Sequence, residues 1–127
     1  MAGGADVVGV DISGRHQEAG EYVMVAAAVA ADIGSSRING ISGIGLSQRN
    51  SEPTLENALA VVASAVDDLP EPPNGTIVSE RGEFYETPAR TVGVSFDLEF
   101  KYVESIAERK TVEAAHHAAY AARNLIR

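Results

Sequence analysis

Cysteine is absent from the 127 residues. Disulfides, thiolate zinc sites and cysteine nucleophiles are excluded with it, which fits a reducing compartment. Aromatics are scarce, and the four tyrosines are too scattered in the chain to form a stacking platform. Long apolar runs are also lacking. The longest, Tyr22 to Ala31, has ten residues and is half alanine, whereas a membrane span needs roughly 20. The opening MAGGADVVGV has no basic segment and no long apolar core. It does not read as a signal peptide, and the expected location is the cytoplasm, without a membrane. Basic charge is short as well: 10 Lys and Arg stand against 18 Asp and Glu, for a formal net charge of −8. That argues against broad electrostatic attraction to nucleic acid and suits a solubility surface. A nuclease stays compatible with it, because bound divalent metals would cancel negative charge locally.

What is present suits one α/β domain over residues 1–127. The chain is 45% hydrophobic, enough for one core, and shows no internal repeat or linker. Residues 5–12, ADVVGVDI, are apolar and β-branched and read as a buried strand ending in Asp11. A polar turn follows, then residues 21–33, whose alanines would also suit a helix; Val23, Val25 and Val29, with a glycine-bearing loop on each side, favour a longer strand. A third strand over 37–48 is rich in glycine, and bulges are expected near Gly40 or Gly43. Short turns between the three predict an antiparallel meander. Leu55, Ala58, Leu59, Val62, Ala65, Val66 and Leu69 then recur at helical spacing behind Ser51 or Thr54 as cap. This predicts a helix over 54–68, packed on the sheet through Leu55, Leu59, Val62 and Val66. A fourth strand over 75–80 is expected parallel to the first. Residues 81–98 carry no clear pattern, and TVGVSF suits a strand or a connecting helix equally. A last strand over 99–105 and an alanine-rich helix over 110–126 complete the order. A chain this small, with an alanine-rich strand and helix, is expected to cover apolar surface as a homodimer.

A right-handed strand–helix–strand crossover would set the fourth strand beside the first. Their carboxyl ends, with Asp11 and Glu80, would then share the edge where open α/β sheets bind ligands. Two carboxylates meeting there must share a proton or bind a cation. On the last helix Glu113 lies three residues before His116 and four before His117. Either histidine can share its face, and carboxylate with imidazole is a common metal-ligand mixture. Adjacent histidines point about 100° apart, so only one can face a site. The bland readings are a strand-end aspartate, a solvent-facing helix, and Glu56 as favourable charge at a helix start. Ser13, Ser42 and Ser79 have no visible triad, and the glycines at 40, 43 and 45 lack the features of a phosphate loop.

VGVDISG (8–14) followed by YVMVAAAVA (22–30) resembles the opening of ribonuclease H-like domains, whose first strand ends in an aspartate. IVSERGEF (77–84) is similar to the fourth-strand segment of Holliday-junction resolvases, with Glu80 at the metal-binding glutamate. EAAHHAAYAA (113–122) resembles the helix that completes the resolvase site, with Glu113 and His116 at its two acidic positions. The whole chain also resembles a small uncharacterised archaeal protein family, in stretches such as SERGEFY, FKYVESIAER and AHHAAYAAR. The resemblance implies a ribonuclease H-like fold: a mixed five-stranded sheet, three antiparallel strands then parallel ones, with packed helices. It implies a nuclease dependent on Mg²⁺ or Mn²⁺, acting on RNA, RNA–DNA hybrid or branched DNA. Asp11, Glu80, Glu113 and His116 would be its catalytic and metal-binding residues, with Glu56 or His117 as competing members. His116 stands where an acid is usual, and the basic surface of a duplex binder is missing. The alternative is a non-catalytic domain of this fold serving as a binding module or subunit.

Overall fold

A computed structural model of the chain describes residues 5–126. Strands β1 (Ala5–Ser13), β2 (Met24–Ile33) and β3 (Ile38–Arg49) form the expected antiparallel meander. Helix α1 (Leu55–Asp67) leads to β4 (Thr76–Ser79), α2 (Ala89–Phe96), β5 (Phe100–Tyr102) and α3 (Ile106–Ile126). The sheet order is β3-β2-β1-β4-β5, with β4 parallel to β1 and β5 parallel to β4. Over the described residues the protein is therefore α/β, with a mixed, open five-stranded sheet and three helices. No helix among the described residues is long and apolar enough to cross a membrane.

Alternation along β1 divides the two faces. Val8, Val10 and Ile12 join Met24, Ile77, Val61, Val62, Val66, Phe84 and Val92 in the larger core under α1 and α2. On the opposite face Ala27 and Val29 meet Ala115 and Ala119 of α3. A Cβ on Gly9 would come within 2.7 Å of the Thr111 carbonyl carbon, so α3 rests almost on the backbone of β1.

Thr54 caps α1 through its hydroxyl, which accepts from the Asn57 N–H at 3.1 Å. The helix turns Ala58, Val61, Val62, Ala65 and Val66 inward, while Leu55 and Leu59 pack half-buried at the margin. The expected bulges lie in β3, where the register shifts opposite Ala30/Ala31 and Asp32/Ile33.

Three boundaries differ from the expectation. The second strand starts at Met24, not at 21. The strand expected over 99–105 is only Phe100–Tyr102, and the last helix begins at Ile106 rather than at 110. Both differences share a cause. Ser105 Oγ accepts from the Glu108 N–H, and Glu108 Oε1 accepts from the Ser105 N–H, each at 3.1 Å. This reciprocal capping box starts the helix early and ends the strand. The ambiguous TVGVSF lies in α2, which closes at Asp97 in the left-handed conformation (φ 57°).

β3 is an edge strand. Its Leu46 N–H donates to Asp68 Oδ2 at 2.9 Å, from the C-cap of α1.

Candidate functional site

Asp11 lies on the α3 side of β1, two residues beyond Gly9, and is almost wholly buried. The close seat of α3 brings His116 to it: Nδ1 lies 3.0 Å from Asp11 Oδ2, and the imidazole remains more than half exposed. With Asp11 ionised, Nδ1–H donates to the carboxylate and Nε2 is left as the basic atom.

The ladder between β1 and β4 ends at Gly9 and Val78. Past it β1 stays paired with β2 as far as Ser13 and is open on the β4 side, where the Glu83 carboxyl comes near the Ile12 backbone. Glu83 is brought there by a tight turn over residues 80–87. Glu83 N–H donates to the Glu80 carbonyl, Tyr85 N–H to Gly82 and Thr87 N–H to Phe84. Tyr85 and Glu86 both take positive φ (55° and 59°), a conformation that costs non-glycine residues on the order of 1 kcal/mol each. The turn is held by Phe84, whose ring meets Phe96 and Phe100 edge-on at 5.7 Å.

Burial pushes the Glu83 carboxyl up to about 7, and the neighbouring Asp11 charge adds to the rise, while Arg15 opposes it. Burial likewise raises Asp11, against the pull of His116 and Arg15. Asp11 and Glu83 are thus two buried carboxyls close enough for the charge of the first to oppose ionisation of the second. Arg15 Nη2 lies 3.2 Å from Glu83 Oε2 and also donates to the Glu83 carbonyl. Oε2 itself accepts no well-directed hydrogen bond, so the contact is an ion pair. Arg15 Nη1 donates to the Tyr85 hydroxyl at 2.9 Å, which in turn donates to the Pro53 carbonyl. Gly14, with φ at 98°, lets the chain turn off β1 toward Arg15; a Cβ there would strike the Val23 carbonyl and the Arg123 side chain.

Of the residues expected in a site, the structure brings Asp11 and His116 together. Glu80 lies past the end of β4 and pairs with Arg109 of α3, Oε1 to Nη1 at 2.9 Å. Glu113 is exposed and makes no hydrogen bond or ion pair among the described residues. Glu56 sits in the first turn of α1. His117 is exposed on α3, its ring 5.4 Å from that of His116. Two members were missed, Arg15 and Glu83. The signal for Glu83 was its place beside Phe84, three residues past Glu80 and across Gly82. A turn there buries the second acid with the phenyl ring. Nothing in SGRHQEAG separated Arg15 from an ordinary turn residue.

Among the described residues, no three histidine or acidic side chains are grouped so as to hold a metal ion. The arrangement holds groups able to take up and release protons: an imidazole open to solvent and fixed by Asp11, two buried carboxyls and one guanidinium.

The sequence pattern of a family described as an uncharacterized protein conserved in archaea (DUF2209) matches residues 8–127. The chain is also similar to the uncharacterized protein MJ0095 of Methanocaldococcus jannaschii, at 27% identity over 118 residues, 92% of this chain and 93% of that one.

Proposed function

Since the chain belongs to that archaeal family, described without a reaction, we propose a function from its own residues: phosphodiester hydrolysis in a ribonuclease H-like domain, with RNA, RNA–DNA hybrid or branched DNA as substrate. The observation that carries the reading is the Asp11–His116 contact. It lies at the carboxyl end of β1, where the chain leaves toward β2 on one side while β4 leads away to β5 on the other. Such a switch point is the usual ligand crevice of an open α/β sheet. The β3-β2-β1-β4-β5 order supports the fold half of the reading, since it is the mixed sheet that the resemblance implies.

His116 acts as general base and then general acid. Its Nε2 takes a proton from water as the water oxygen bonds to phosphorus. The imidazolium, steadied by Asp11 at Nδ1, gives that proton to the departing sugar oxygen as the second P–O bond breaks. Glu83, titrating near neutrality, holds or releases its proton beside Asp11, and so sets how firmly Asp11 binds the imidazole.

The resemblance implies Mg²⁺ or Mn²⁺, and carboxylates with an imidazole are suitable donors. As placed, the residues do not form that cage. Glu80 is turned to Arg109, Glu113 faces solvent, and the positive charge beside Glu83 is Arg15. No step is therefore routed through a metal.

The test is cleavage of labelled RNA, hybrid and four-way junction by wild type, Asp11→Asn and His116→Ala, each in EDTA and in Mn²⁺. Wild type cleaves in EDTA, and loss of the imidazole lowers the rate on the order of 100-fold. Equal cleavage by His116→Ala sinks the mechanism. The net charge of −8 favours a second reading, the non-catalytic binding or subunit domain; wild type that cleaves none of the three substrates supports it.

A further inference from the structure

Of the arginines at or beside the carboxyl edge of the sheet, Arg15 is paired with Glu83, Arg109 with Glu80 and Arg123 with Glu18. Another, Arg81, follows Glu80 directly, yet Glu80 is held away by Arg109. Among the described residues no carboxylate lies within ion-pair distance of Arg81. Its guanidinium is instead 5.7 Å from the centre of the Tyr102 ring, a cation–π placement that orders the cation while leaving its N–H groups free. Tyr102 is a firm base: it ends β5, is nearly buried, and donates its hydroxyl to the Thr87 carbonyl.

Arg81 and Tyr102 line an open cavity of about 360 Å³ with Thr87, Lys101, Glu86 and Glu104. Lys101 Nζ binds Glu104 at 2.6 Å and Glu108 at 3.0 Å, which uses up its charge. Arg81 is thus the ordered cation without a counter-ion here, and Glu86 is the acid on the wall without a cation. The cavity lies at the end of β5, past the end of β4, while Asp11 stands on β1, on the other side of β4, with His116 of α3 against it. Neighbouring strands are about 4.8 Å apart, so β5 is offset from β1 by about 10 Å across the sheet, a span of one or two nucleotide steps along an extended strand.

We propose that Arg81, braced on Tyr102, forms an anion subsite for a backbone phosphate flanking the bond to be cut. The subsite rests on the phosphodiester reading for its place relative to the chemistry, but its binding is tested without chemistry. Affinity for a short labelled single-stranded RNA is measured across a salt series on His116→Ala protein, alone and combined with Arg81→Ala, Arg81→Lys or Glu86→Gln. Arg81→Ala weakens binding roughly five- to tenfold and flattens the slope of log affinity against log salt by about 0.7. Arg81→Lys recovers part of the affinity, and Glu86→Gln tightens binding. Unchanged affinity and slope in Arg81→Ala overturn the subsite, as does unchanged binding in Glu86→Gln. Arg81-dependent binding by a protein that never cleaves keeps the subsite and removes the hydrolase. Cleavage that is indifferent to Arg81, in KM as well as in kcat, does the reverse.

Discussion

The two faces of the sheet are built on opposite rules. Under α1 and α2 the space is filled with side chains: Met24, Ile77, Phe84 and a row of valines. Under the middle of α3 there is little space to fill, because alanines and Gly9 let the helix backbone approach the strands; only toward its start do Val7, Ile33, Val78 and Val112 fill a gap. The first face stores apolar stabilisation; the second fixes a distance. It is the second that presents His116 to Asp11, so positional accuracy at the site depends on what side chains were left out.

Breaking each face should therefore give different failures. Ile77→Ala on the filled face should cost about 3–4 kcal/mol in chemical denaturation and leave the His116 ring resonances where they are. Gly9→Ala should cost less, about 2 kcal/mol, because its Cβ meets Thr111 and overpacks the seam. Yet it should displace α3 and change the His116 ring resonances. Matching spectra in the two variants would show that the faces do not divide the labour this way.

The ionic end of the α3 face adds a dependence on pH that the filled face lacks. Arg15→Met leaves Glu83 buried without its cation, and should cost about 2 kcal/mol at pH 8. The cost should shrink at pH 5, where Glu83 is protonated. Glu83 itself holds more protons folded than unfolded between its usual 4.5 and about 7. Its favourable contribution is therefore full below pH 4.5 and is lost as pH rises through about 7. Glu83→Gln should flatten that decline and raise stability at pH 8 by about 1 kcal/mol. A steeper decline in the variant would reverse the assignment. At the small end, Glu80→Gln removes an exposed pair with Arg109 and should change stability by less than about 0.5 kcal/mol. A larger loss would make Glu80 part of the frame.

The same contrast explains what could be read from the chain. β1 and the α1 stripe were legible because apolar periodicity declares a filled face. The meander followed from turn lengths, and the parallel β4 from the strand–helix–strand crossover. α2 was not legible: Gly93 and two valines contradict helix propensity, and the helix is paid for by Val92 and Phe96 packing on the Phe84–Phe100 group. The start of α3 was written in Ser105 and Glu108, but an apparent strand pattern over 99–105 hid it. In the site, Asp11 and His116 were reachable through strand end and helix face. Glu83 was not, because a turn with two left-handed residues reverses which acid of SERGE points inward, and no periodicity encodes that.

The bond from Leu46 to Asp68 bears on how the molecule meets its own kind. An uncovered strand margin is an invitation to add another strand, and thereby to string copies into fibres. Here one donor along that margin is already spoken for, and a carboxylate sits where an incoming carbonyl oxygen would come. A newcomer must break the bond and approach a negative group on a chain already carrying eight excess negative charges. A single C-terminal aspartate of α1 thus acts as a stopper, and lets a long, glycine-rich outer strand remain solitary at its outer margin.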